Sequence, residues 1–208
     1  MMSGILPAWT AITDWLAAHA PASHAALQPG ATPSDVRTAE AELGVALPAD
    51  LMALLAVCNG TVDASALERD PDEHDPGLFV AQHHLLPLAE ITAVRESVGG
   101  PEDFWGAWVP FAVADYSLAP WGGLAIDPDG RLAGFSLANG EPPALLVAPG
   151  HRTLAEFLDA LAEALTRGTG PLTGEIQPGL HHGSPGWGRP PGGGAPLPPA
   201  RPGTGPTD

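Results

Sequence analysis

The feature that most constrains the fold is a change of apolar period along the chain. Up to Gly60 apolar residues recur every three or four positions; after Trp108 they come in short runs broken by turn residues. Such a chain segregates its helices from its strands. Trp9, Ile12 and Leu16, with Trp15 beside them, predict an amphipathic helix over residues 8–20, and Pro21 stops it. A second helix opens at Thr32-Pro33, a capping residue followed by proline at the first helical position. Val36, Ala39 and Leu43 form its stripe, and Gly44 supplies a left-handed end. A third begins at Pro48, with Asp50 suited to the positive end of the helix dipole. Leu51, Leu54, Leu55 and Cys58 are its buried face, and Asn59-Gly60 ends it.

Residues 61–77 are polar and acidic and read as a loop. Short strands are expected at 78–80 and 85–88, with a brief helix within 88–98. Further strands are expected at 109–113, 123–126, 131–137 and 144–148. The signals between them are Pro120, Asp127-Pro128-Asp129-Gly130, Asn139-Gly140 and Pro142-Pro143. The Asp-Pro-Asp-Gly step, with proline at its second position, is a hairpin turn. Thr153 then caps a helix carrying Leu154, Phe157, Leu158, Leu161 and Leu165, with Arg167 at its negative end. The predicted fold class is α+β, with N-terminal helices packed on an antiparallel β-meander and a closing C-terminal helix.

Composition enters at the C-terminus. Residues 169–208 hold ten prolines and eleven glycines and few aliphatic side chains. Such a segment buries too little apolar surface to offset its ordering entropy, so it is expected to be a disordered tail. Its Pro196-Leu197-Pro198-Pro199-Ala200-Arg201 matches the Pro-x-x-Pro-x-Arg pattern read by polyproline-binding domains. In so proline-rich a stretch, a plain solubilising tail is the default. Residues 1–168 remain for one domain, large enough for a single core.

The charge balance excludes several partners. Twenty-four acids face eight arginines and no lysine, a net charge of −16. The tail carries two charges of each sign, so the deficit sits on the folded part. Nucleic acid is disfavoured because binding it needs cations to displace phosphate counterions, and anionic membrane surfaces for the same reason. A basic protein is what such a field steers in. A single cysteine, no cationic leader and no long apolar run point to a cytoplasmic protein.

From Glu40 to Gly60 the chain reads E-x-x-L-G-x-x-L-P-x-D-L, followed by N-G. This resembles the signature of the SUKH superfamily (SMI/KNR-like domains), which includes a fungal regulator of cell-wall glucan synthesis and many bacterial immunity proteins. Trp108-x-Pro110-Phe111-Ala112, Asp115, the Leu124-Ala125-Ile126-Asp127 strand, and a closing helix with Phe157 and Leu158 are similar too. The resemblance covers about residues 9–167. It departs at the acidic insertion 68–75 and at Pro120-Trp121. It implies a non-enzymatic protein-binding module: an immunity protein that neutralises a cognate toxin by direct binding, or a regulatory scaffold of the cell-wall or signalling type. The toxins met by this superfamily are often nucleases, whose basic surfaces an acidic domain can occlude.

On the residues alone, the motif makes a compact helical corner and is a folding signature, with Glu40 in a structural or surface role. Candidate partner contacts are Asp70, Asp72, Glu73 and Asp75 in the acidic run, with Glu102, Asp103, Trp105 and Trp121 around the meander. Trp105 follows two acids and Trp121 sits in a Pro/Gly loop, so both are expected at the surface, whereas Trp108 belongs to the core. No cofactor or metal is expected. His83-His84 would point to opposite faces of a strand, and the acidic run lacks the ordered offsets of a calcium loop. Cys58 falls on an apolar helix face, where free cysteine behaves as a small hydrophobe. No nucleophile elbow, phosphate loop or dinucleotide fingerprint is present, so a hydrolase would need a scattered active site.

Overall fold

The computed structural model describes residues 4–61, 75–97, 104–114, 122–136, 144–147, 153–173, 177–181, 183–188 and 195–196. Four helices open the chain: α1 (Ile5–His19), α2 (Pro21–Ala25), α3 (Pro33–Leu43) and α4 (Ala49–Leu55). Pro21 does end α1, but it also begins α2, because a proline that cannot continue one helix is well suited to the first position of the next. Thr32 and Asp35 form a capping box on α3, each side chain taking the other's backbone N–H. The third predicted helix is shorter than expected: Pro48 caps it, and it ends at Leu55. Cys58 lies beyond that end, buried.

The strands β1 (His84–Leu85), β2 (Val109–Val113), β3 (Gly122–Ile126), β4 (Leu132–Ser136) and β5 (Ala144–Val147) form an antiparallel sheet in chain order. Between β1 and β2 lies α5 (Leu88–Ser97), packed on β2. All five residues of β2 are buried, so both of its faces are covered. Its register slips between Pro110 and Ala112, leaving Phe111 as an extra residue. A bulge is where a strand tolerates a proline without an N–H to donate. Phe111 is 1% exposed, and its carbonyl accepts the N–H of Leu86. The closing helix α6 (Leu154–Arg167), capped by Thr153, packs on α1 more extensively than any other pair of helices. Ile5, Ile12, Leu16, Leu154, Leu158 and Leu161 are fully buried. Each stabilises the fold by about 1.5–3 kcal/mol through apolar burial.

Two of the expected strands differ from the structure, and the one at 85–88 is only the two-residue β1. Residues 78–80 are not a strand: they form turns, and Val80 bridges back to His83 around Ala81 (φ 48°) and Gln82 (φ 69°). Two left-handed non-glycine residues make this tight reversal, which a reading for glycine turns misses. In the segment read as a tail, residues 177–181, 183–188 and 195–196 are described. There β6 (Gln177–His181) and β7 (Ser184–Gly188) form an antiparallel hairpin, and β8 (Ala195–Pro196) pairs with β6. The anchor is Trp187. It is 8% exposed and joins the main apolar core, against which Leu180 of β6 packs as well, in a segment otherwise poor in apolar side chains. Residues 189–194 and 197–208, including most of the Pro-x-x-Pro-x-Arg stretch, lie outside the described residues.

Candidate partner-binding surface

The helical corner shows what the motif does. The Glu40 carboxylate reaches from α3 to accept the N–H of Leu47 at 2.8 Å, and Leu47 is 3% exposed. Asn59 accepts the N–H of Leu88 at 3.0 Å, holding the start of α5. Gly60 (φ 86°) packs so tightly on Leu86 and Pro87 that a Cβ would fall 2.5 Å from the Pro87 nitrogen. Only glycine meets both demands. These polar groups therefore hold the fold.

At the β3–β4 turn, Asp127 does the same. It is 4% exposed and its Oδ1 accepts the N–H groups of Asp129 (3.0 Å) and Arg131 (2.8 Å). Its Oδ2 takes the Arg131 guanidinium through Nε and Nη2, both at 2.7 Å. Gly130, with φ 81°, lets the chain reverse after a turn closed by Gly130 N–H on the Asp127 carbonyl. Turn chemistry accounts for the Asp-Pro-Asp-Gly sequence.

Of the eight candidate contacts, Asp70, Asp72, Glu73, Glu102, Asp103 and Trp121 lie outside the described residues. Asp75 is 22% exposed and tied to β1: its Oδ2 is 3.2 Å from Nε2 of the buried His84, and its Oδ1 accepts the N–H of Gly77 at 2.8 Å. The next residue is tied to α2, where the fully buried Ser23 donates to the Pro76 carbonyl at 2.6 Å. The end of the acidic run is thus fixed on two elements. Trp105 corrects the expectation of a surface position. It is 6% exposed, edge-on to Phe104 (4.8 Å between centroids) and to Phe135 of β4 (5.1 Å). The preceding acids suggested exposure, but these two rings draw it inward. Trp108, expected in the core, is only partly buried against it.

Exposed acids are spread over the described elements. Asp14, Asp35, Glu42, Glu96, Asp129, Glu156 and Asp159 are exposed. Of the three exposed arginines among the described residues, Arg131 is paired with Asp127 and Asp129, Arg167 lies 3.7 Å from Glu163, and Arg37 stands on α3. Arg95 donates Nη2 to the Gly106 carbonyl at 3.0 Å, and burial lowers its pKa from the usual arginine value. Little positive charge is left free to answer the acids.

The groups that could do chemistry are placed for other work. Burial pushes the Cys58 thiol up to about 11, and its Sγ–H donates to the Gly60 carbonyl at 3.2 Å. A thiol so held is no ready nucleophile. His83 is partly buried, bonded through Nδ1 to the Ala81 carbonyl, with a pKa lowered by burial. Among the described residues no group of three or more histidine, cysteine or acidic side chains is disposed to hold a metal ion. None of the described helices is long and apolar enough to cross a membrane. Sequence reasoning missed the Trp187 hairpin, whose one signal was a lone aromatic residue among prolines and glycines.

A search of curated proteins finds no significant match. The family model described as SMI1 / KNR4 family (SUKH-1) matches residues 30–155, from just before α3 to the first residues of α6. With the helical corner, the bulged strand and the meander in place, the chain belongs to the SMI1/KNR4 family (SUKH-1).

Proposed function

We propose that the chain is a cytoplasmic, non-enzymatic protein-binding module that acts as an immunity protein, neutralising a cognate toxin by direct contact. Membership of a family that includes immunity proteins supports this reading. The observation that carries it further is charge: −16 overall, without a single lysine, and with exposed acids on α1, α3, α5, α6 and the β3–β4 turn. A field of that sign accelerates encounter with a basic surface and rejects acidic competitors. Toxins that cleave nucleic acid present such a surface where they bind their substrate, and a nuclease is the partner class this chemistry fits best. The contacts we assign are Asp70, Asp72, Glu73, Asp75, Glu102, Asp103 and Trp121, with Asp75 as the anchored end of the acidic run.

The test is a tagged pull-down from the native host, eluted with a salt gradient and identified by mass spectrometry. One basic protein, released as rising salt screens the charges, is the expected result. Several cell-wall or signalling proteins, lost when residues 169–208 are removed, would replace this reading with a scaffold. Absence of any partner at low salt would overturn it.

A further inference from the structure

The hairpin formed by β6 and β7 stands outside the matched family region and is held to the domain at a few points. The Trp187 indole N–H donates to the Phe79 carbonyl at 3.1 Å, in a buried setting. The Gln82 side-chain amide donates to the Trp187 carbonyl at 2.8 Å. At the other end, the Gly183 carbonyl accepts the N–H of Ala22 at 3.1 Å. Between these points β7 packs on α2, and Ser184 and Trp187 are buried. Beneath lies Phe79, fully buried, whose ring stands 6.5 Å from that of Trp9 on α1.

Two properties set this contact apart. The receiving side is built to clamp. Gln82 is a left-handed non-glycine residue (φ 69°), a conformation that persists only where its surroundings hold it, and here its amide grips the incoming carbonyl. The inserted side is poorly able to hold itself. Its strands read QPGLH and SPGWG, rich in residues that weaken strands, and a two-stranded ribbon is marginal without a face to pack on. Its large apolar anchor is Trp187, helped by the partly buried Leu180, and a segment so lightly anchored opens locally before the core does.

We propose that residues 177–188 are a releasable strap, an intramolecular ligand whose tryptophan docks on residues 79–82 while Gly183 abuts Pro21–Ala22. The same surface accepts an uncharged, tryptophan-centred segment in trans when the strap is out. It adjoins the fixed end of the acidic run, since Ser23 and His84, which hold Pro76 and Asp75, belong to the segments the strap covers or abuts. The inference depends on this geometry and not on the identity of any partner.

The experiment uses the full chain carrying Trp187→Ala and a labelled peptide of the native sequence 177–188. Hydrogen exchange at residues 79–84 and 183–188 is expected to rise at least tenfold, while α1 and α6 keep their protection. The peptide should bind the variant and not the wild type, and a peptide carrying the same Trp187→Ala change should bind neither. Peptide binding to neither chain, or equally to both, overturns the proposal. So does loss of protection in α1 and α6 together with the hairpin, which would make the hairpin part of the cooperative core. Should Trp187→Ala fail to fold, Gln82→Ala removes the amide clamp and leaves the tryptophan. Exchange at 183–188 should then rise severalfold, and unchanged exchange overturns the proposal.

Discussion

The α1–α6 pair and the C-terminal hairpin are both held to the same apolar core, by opposite means. The helix pair interlocks many branched side chains, with Ile5, Ile12, Leu16, Leu158 and Leu161 at full burial. The hairpin reaches that core chiefly through one buried indole, with the partly buried Leu180 packed beside the core and a few backbone-directed hydrogen bonds. Redundant anchoring makes a region rise and fall with the whole domain, whereas sparse anchoring leaves one that opens alone. Order is therefore a poor guide to stability: both regions are regular secondary structure, and only one is keyed deeply into the fold.

The comparison can be attacked first at its strong end. Leu158→Ala leaves a cavity between α6 and the core and should lower unfolding stability by about 3–4 kcal/mol, read from the urea midpoint. A loss below about 1 kcal/mol would show that the site collapses around the change and that the pair is not the keystone. The next largest effect is expected at the β3–β4 turn, which like the hairpin depends chiefly on one side chain, but a buried carboxylate. Asp127→Ala strands the N–H groups of Asp129 and Arg131 and should cost about 2 kcal/mol. An unchanged midpoint would mean that water replaces the carboxylate at no cost.

The smallest effect sharpens the weak end, where His83 closes the Ala81–Gln82 reversal. Burial lowers its pKa from the ordinary 6.5, so the folded state prefers the neutral ring. The unfolded chain then binds the proton more readily, and stability falls as pH drops below about 6.5 toward the depressed folded value. His83→Gln, neutral throughout, should flatten that part of the curve when urea midpoints are taken at pH 7.5, 6 and 5. If both chains lose stability in parallel, the acid loss comes from other groups.

Much of the domain was legible because its signals are local and redundant. Thr32 and Thr153 cap their helices as their positions in the sequence suggested, and Gly44 and Gly168 end α3 and α6 in the left-handed conformation. The meander followed from turn residues at regular intervals. What escaped depended on distant partners. Nothing near Trp105 in sequence reveals that Phe135 will meet it edge-on. The reversal at Ala81–Gln82 carries no glycine and is imposed from outside. Trp187 reads as an isolated aromatic until Phe79, more than one hundred positions earlier, offers its carbonyl. The candidate site was the least legible part, because surface charge announces a kind of partner without marking a face.

The contact between α1 and α6 also dictates an order of events during synthesis. The helix made among the first presents a stripe of tryptophan, isoleucine and leucine whose main cover is among the last parts of the domain to be made. The meander can pair neighbour with neighbour as it leaves the ribosome. The first helix can meet α2 and α4 early, but the part of its apolar face that α6 covers stays open until α6 has emerged. The matched family region, residues 30–155, leaves out α1 and nearly all of α6 and so cannot close its own core. Completion of the fold is a late event, reached only when the two ends of the domain meet.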